Sequence, residues 1–132
     1  MGGTMKKIIT TTEAPGAVGP YSQGVLAGGF LYVSGQLPLD PKTGKMLEAP
    51  AGDLTRRCMD NLLSVVCQAG GNIDNLVKVN IYTIDMGLFG EINRAYGSYF
   101  KGSPPARAVV EVKALPLGAV VEIEAVAYLG DR

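Results

Sequence analysis

Between Ser103 and Leu129 two runs of the chain alternate in polarity. Successive side chains of an extended strand point to opposite faces. In the first run Ala108, Val110 and Val112 share an apolar face, while Arg107, Val109 and Glu111 point the other way. In the second, Val121, Ile123, Ala125 and Ala127 form one face, and Glu122, Glu124, Val126 and Tyr128 the other. Leu115-Pro116-Leu117-Gly118 between them reads as a turn, so the two runs are expected to pair as a hairpin. One face of that hairpin is core. The other carries an arginine and several carboxylates among apolar residues.

The same reading applied upstream gives the frame. Lys6 to Thr12 is rich in β-branched residues and suggests a first strand. Glu13 to Pro20 is loop. Val25 to Ala27 and Phe30 to Ser34 are short strands joined by Gly28-Gly29, a pair suited to the positive φ of a tight hairpin. Asp40 to Lys45 forms a second turn, and Gly44-Lys45 is no phosphate loop, since Leu39 stands where the motif needs glycine. Asp53 is expected to cap a helix running to Ala69, with Leu54, Cys58, Leu62, Val65, Val66 and Ala69 on one stripe. Gly70-Gly71 ends it. Leu76 to Ile84 reads as a strand, and Asp85 as the cap of a second helix reaching Phe100. The apolar stripe of that helix is Leu88, Phe89, Ile92, Ala95, Tyr96, Tyr99 and Phe100. Its three glycines each cost roughly 1 kcal/mol against alanine, so packing must hold it.

The fold class is therefore α/β in the α+β sense: a mixed sheet with two helices packed on one face. The second sheet face is too apolar for water and too charged for a private core. It is expected to meet copies of itself, with a polar pocket at each junction.

Composition narrows the chemistry. The 132 residues fit one domain from Lys6 to Arg132, preceded by a leader or cloning remnant at residues 1–5. Twelve basic and 12 acidic residues cancel, and no basic tract stands out, which argues against nucleic acid as the main partner. Cys58 and Cys67 fall in one helix, about 13 Å apart along its axis, too far for a disulfide. Buried free thiols fit a reducing compartment, and no apolar run is long enough to span a bilayer. The expected location is cytoplasmic, with a mitochondrial import signal lost in processing as the alternative.

Histidine is absent, which removes histidine triads, histidine bases and most transition-metal sites. The cysteines have no visible partner and read as inert packing. Arg107 follows two prolines that stiffen the backbone. Its guanidinium suits a carboxylate held through two parallel hydrogen bonds, or a structural ion pair with Glu111, Glu122 or Glu124. Glu122 and Glu124, read as sharing a face with Arg107, are candidates to accept protons or orient a water. Tyr21 in a proline-flanked loop offers a phenol, Ser34-Gly35 a hydroxyl and an amide, and Asn93 an amide on the polar side of the second helix. For each of these, packing or solvent exposure is the plain alternative.

Four motifs in this order resemble the RidA (YjgF/YER057c/UK114) family: Gly19-Pro20-Tyr21-Ser22-Gln23; Val33-Ser34-Gly35-Gln36; Pro105-Ala106-Arg107 with Val110-Glu111-Val112; and Leu115-Pro116 followed by Val121-Glu122-Ile123-Glu124-Ala125. The resemblance runs from about Lys6 to Tyr128. It implies a chorismate mutase-like fold and a homotrimer with ligand clefts between neighbouring subunits. It implies a cofactor-free and metal-free deaminase that hydrolyses 2-aminoacrylate, 2-iminobutanoate and 2-iminopropanoate to 2-oxo acids and ammonia. Arg107 then matches the arginine that binds the substrate carboxylate, and Glu122 the glutamate that orients the attacking water. Tyr21, Ser34 and the Gly35 amide match the cleft lining, and Asn93 a further contact. Val109 departs from the polar residue that many members carry there. The alternatives are an endoribonuclease or translation inhibitor, and a non-catalytic binder of small carboxylates or chaperone-like protein.

Overall fold

Val121, Ile123, Ala125 and Ala127 are buried and the residues between them are not, as the alternation requires. That strand runs through the middle of the molecule. The computed structural model describes residues 5–130, so the expected leader, save Met5, lies outside the described residues. The elements in chain order are β1 (Lys7–Ile9), β2 (Gly24–Ala27), β3 (Phe30–Gln36), α1 (Ala51–Gln68), β4 (Leu76–Thr83), α2 (Phe89–Gly97), β5 (Ala106–Glu111) and β6 (Val121–Tyr128). Short 3₁₀ turns precede β4, α2 and β6. All six strands form one sheet in the order β1-β2-β3-β6-β4-β5.

The turn between β2 and β3 is as expected, with Gly28 at φ 58° and Gly29 at φ 83°. The expected hairpin of β5 with β6 does not form. β4 lies between them, antiparallel to β6 and parallel to β5. A parallel pair needs a crossover connection, and α2 supplies it between β4 and β5. The stretch after β5 then carries the chain past β4, and β6 enters between β3 and β4, where both of its backbone edges are paired.

This placement also corrects the faces of β5. Val79 is in register with Arg107 on one side and Ala125 on the other, and Ile81 with Val109 and Ile123. Partners in register share a face, so Arg107 and Val109 lie on the helix side of the sheet. Val109 packs against the core, whereas Val110, assigned to the core from alternation alone, is exposed. Glu122 and Glu124 lie on the opposite side, in register with Tyr82 and Asn80.

Both helices cover one face of the sheet, as expected. The stripe residues Leu54, Cys58, Leu62, Val65 and Val66 of α1 are buried against it, together with Ile92, Ala95 and Tyr96 of α2. Asp53 does not cap α1. The helix begins two residues earlier behind Pro50, and Asp53 sits in its first turn, 3.0 Å from Arg56. Asp85 does act as a cap, with the Gly87 N–H donating to Oδ1 at 2.8 Å, but it starts a 3₁₀ turn that leads into α2. α2 closes at Gly97, short of Phe100. Both cysteines are free; Cys58 is buried, but Cys67 is exposed, against the expectation of two buried thiols. No helix of the described residues is long and apolar enough to cross a membrane.

The other face of the sheet has no covering layer in a single chain. It presents Ile8, Phe30, Tyr32, Val110 and Tyr128, all more than a third exposed, with Val25 and Val126 half-buried among them. Leu62, by contrast, is fully buried at the centre of the α1 stripe. Leu62→Ala should therefore lower unfolding free energy by about 2–5 kcal/mol in urea denaturation, while Cys67→Ala stays within about 0.5 kcal/mol.

Candidate active site

The ladder between β3 and β6 breaks at one place. Val33 faces Ala125 and Gln36 faces Ile123, so Ser34 and Gly35 together stand against the single residue Glu124. Such a bulge bends its strand and re-aims the residues in it. Here it lays the Gly35 backbone under the Glu122 side chain so closely that a Cβ at position 35 would overlap the carboxylate. Any side chain there would push the Glu122 carboxylate out of this position.

A cleft of about 500 Å³ opens over the bulge. Its floor is Ser34, Gly35, Glu122 and Glu124; its walls include Tyr21, Val18 and the Pro116-Leu117 pair. Four of the residues singled out in the sequence, Tyr21, Ser34, Gly35 and Glu122, thus meet in one place. The Ser34 hydroxyl donates to the Ser22 carbonyl at 2.5 Å, which leaves it as an acceptor toward the cleft. Tyr21 is half-exposed, and its hydroxyl accepts a long bond of 3.4 Å from the Val18 N–H.

The loop that carries Tyr21 is fastened from within by Gln23. Its Oε1 accepts from the Thr11 N–H at 2.7 Å, and its Nε2 donates to the carbonyls of Thr11, Ala14 and Pro15 at 3.0, 3.3 and 2.8 Å. Gln23 is buried, and these bonds satisfy backbone groups that no strand partner reaches. The sequence offered one signal for this role, a polar residue at the mouth of an apolar strand.

The two carboxylates of the floor differ. Glu124 Oε2 accepts from the Tyr82 hydroxyl at 2.6 Å and from Asn80 Nδ2 at 3.2 Å. Glu122 has no hydrogen bond or ion pair among the described residues. Burial, and then the neighbouring charge of Glu124, push its carboxyl above the usual glutamate range. The Tyr82 phenol is raised to about 12, first by its bond to Glu124. Asn80 and Tyr82 escaped the sequence reading, although they are the polar positions that alternate with Val79 and Ile81 in β4.

Arg107 and Asn93 are not in this cleft. Arg107 Nη1 donates to Asn93 Oδ1 at 2.7 Å, and the guanidinium carbon lies 5.2 Å from the Tyr96 ring centre and 5.7 Å from that of Phe89. β5 and α2 thus hold the cation between two rings. It makes no ion pair among the described residues, and Glu111 instead accepts the Met86 N–H at 2.7 Å. The structural ion pair weighed for Arg107 is therefore absent among them. The nearby Tyr96 hydroxyl is buried without a partner, and burial raises it to about 12. The reading that set Arg107, Glu122 and Glu124 on one face is overturned: within one chain they lie on opposite faces.

Leu117 was not singled out for the cleft. It is a non-glycine residue at φ 59°, strongly exposed at the cleft wall. Backbone strain of this kind concentrates at functional sites. Cys58, in contrast, is sealed in the core, where burial and the charge of Glu122 drive its thiol far above the ordinary range. That makes it inert.

A mixed sheet with both helices on one face and a carboxylate-floored cleft on the other defines an α+β protein of the chorismate mutase-like kind. The model of the family described as Endoribonuclease L-PSP matches residues 11–129. A RutC family protein of Pyrococcus horikoshii is 44% identical over 94% of this chain and 98% of its own. A mouse protein named 2-iminobutanoate/2-iminopropanoate deaminase is 42% identical over 98% of this chain and 96% of its own. The crystal structure of RidA from an Antarctic Psychrobacter superposes with a TM-score of 0.89 at 38% identity, covering 92% of this chain and 98% of that one. The chain belongs to the Endoribonuclease L-PSP family, among the RidA-type proteins its motifs resemble.

The Gln23 bonds give a direct test of how the cleft wall is held. Gln23→Ala should cost about 1–3 kcal/mol in denaturant unfolding. It should also speed amide exchange at Thr11, while β4 and β6 remain protected.

Proposed function

We propose that this protein is a deaminase that hydrolyses small 2-imino acids and their enamine forms to 2-oxo acids and ammonia. The observation that carries this reading is a matched pair of incomplete half-sites. Arg107 is a half-buried cation, and among the described residues four of its five N–H donors have no hydrogen-bond partner. Glu122 is a half-buried carboxylate with no hydrogen-bond partner among the described residues, in a cleft that no lysine or arginine lines. The two stand on opposite faces of one sheet, so no single chain closes the site. A second copy laid against the open face brings its own Arg107 toward the Glu122 cleft. The apolar residues of that face supply the reason to associate, and three copies is what the resemblance to the RidA family implies.

In the assembled site Arg107 grips the substrate carboxylate, with Asn93 steadying its guanidinium. The imine carbon next to that carboxylate is already electrophilic, so a positioned water suffices. Glu122 takes a proton from the water as the water oxygen bonds to carbon, and hands it to the imine nitrogen to give a carbinolamine. Glu122 then carries the carbinolamine O–H proton to the amine nitrogen, the C–N bond breaks as the carbonyl forms, and ammonia leaves with the 2-oxo acid. Tyr21, the Ser34 oxygen and the Gly35 backbone line the space in which this occurs. Holding reactants in such geometry supplies several kcal/mol of the barrier reduction. The curated mouse relative bears the name of this activity.

The family model bears the name of an endoribonuclease, and cleavage of RNA is the other reading. The uncharged balance of the chain and the absence of histidine weigh against it. An RNA substrate would also make activity fall steeply with salt.

A coupled assay decides the matter. A dehydratase releases imine from threonine or serine, and 2-oxo acid is followed with and without this protein. Accelerated release that is insensitive to salt supports the reading; release at the background rate overturns it. Arg107→Ala should lose about 2–5 kcal/mol of transition-state stabilisation, a drop of roughly thirty-fold or more in kcat/KM, with its circular dichroism unchanged. Light scattering at micromolar concentration should give three chains per particle, and a monomer would remove the shared cleft.

A further inference from the structure

We infer that Glu124, fastened by Tyr82 and Asn80, is the positioning residue of the cleft and leaves Glu122 as the one carboxyl of the pair that exchanges protons with water. The inference rests on the reading of the cleft as a hydrolytic site. Its ground is the way β4 distributes its donors. In register Tyr82 stands opposite Glu122, and Asn80 opposite Glu124. The Tyr82 hydroxyl nevertheless reaches diagonally past Glu122 to Glu124 Oε2, the oxygen that Asn80 also serves. Diagonal neighbours in a sheet lie within reach of a long aromatic side chain. Both donors of β4 are thus spent on one carboxylate, and Glu122 is left without a donor, lying against the Gly35 backbone at the cleft floor.

An anion with two donors on one oxygen is fixed in place. The next residue on the same face, two positions away on β6, must then share its surroundings with a second negative charge. The groups that face Glu122 are Glu124 on its own strand, Tyr82 on β4 and Tyr21 across the cleft. Behind the sheet the Cys58 thiol on α1 completes the list. In the proposed assembly Arg107 of a second copy joins them. Among these Glu124 is the only other carboxylate, and the charge on Glu124 opposes ionisation of Glu122. The sign follows directly. Removal of the Glu124 charge makes Glu122 ionise at lower pH, and an activity that needs the Glu122 carboxylate rises at lower pH with it.

The test compares wild type, Glu124→Gln and Tyr82→Phe by carboxyl-carbon NMR titration of Glu122 and by the pH profile of kcat/KM in the coupled assay. Glu124→Gln should lower the Glu122 midpoint and shift the acid limb of the profile the same way, each by about half a pH unit or more. Tyr82→Phe, which keeps every carboxylate, should lower kcat several-fold with KM and thermal stability nearly unchanged. A Glu122 midpoint that does not move in Glu124→Gln overturns the inference, as does wild-type kcat in Tyr82→Phe. A merely structural role for Glu124 would reduce the folded fraction and leave the midpoint where it was. The NMR midpoint is read without turnover, so an inactive wild type would sink the deaminase reading while the titration still judges the pairing of Glu122 with Glu124.

Discussion

The position of β6 in the sheet governs the rest of the structure. With β3 on one side and β4 on the other, its backbone is paired along both edges, and its period of two becomes a strict sorting of side chains. Val121, Ile123, Ala125 and Ala127 go under the helices, and Glu122 and Glu124 go to the open face. A one-residue slip would bury both glutamates and expose the four apolar residues. The burial that locks the core is therefore also what delivers the carboxylates to the cleft. Core and site are the two faces of a single strand.

One irregularity beside that regular strand shapes the cleft floor. The bulge at Ser34-Gly35 breaks the pairing on one edge of β6 and brings backbone, without a side chain, beneath Glu122. On the other edge the pairing with β4 is regular from Lys78 to Thr83 and contributes Tyr82 and Asn80. The cleft floor is thus close-packed toward β3, where the Glu122 carboxylate lies against bare backbone, and firm toward β4, where hydrogen bonds hold Glu124. Gln23 and the left-handed Leu117 set the walls, and Gln23 spends its hydrogen bonds on the loop backbone.

Arg107 belongs to a different part of the architecture. It stands on β5, the last strand of the sheet, and its charge is met by two aromatic rings and an amide oxygen. Such contacts steady a guanidinium without neutralising it. An edge strand has no neighbour to cover it, so this cation is available outward. The separation of Arg107 from Glu122 across the sheet is the structural argument for a site built from more than one chain.

The sequence by itself determined the elements and the sorting within them. The alternation of β6, the stripe of α1, the Gly28-Gly29 turn and the Asp85 cap are local, and propensity and periodicity report local order faithfully. Tyr21, Ser34, Gly35 and Glu122 were legible as a group because their motifs stand in the order that RidA-type proteins share. Only the tertiary structure decided which strand lies beside which. Alternation in β5 is equally consistent with either face, and a short link such as Leu115 to Gly118 does not reveal that a third strand lies between its ends. The side to which Arg107 points, and the partners Tyr82 and Asn80 choose, depend on that insertion of β4. Pairing between strands is a non-local interaction, set by how the whole apolar surface is best buried, and no window of the chain contains it.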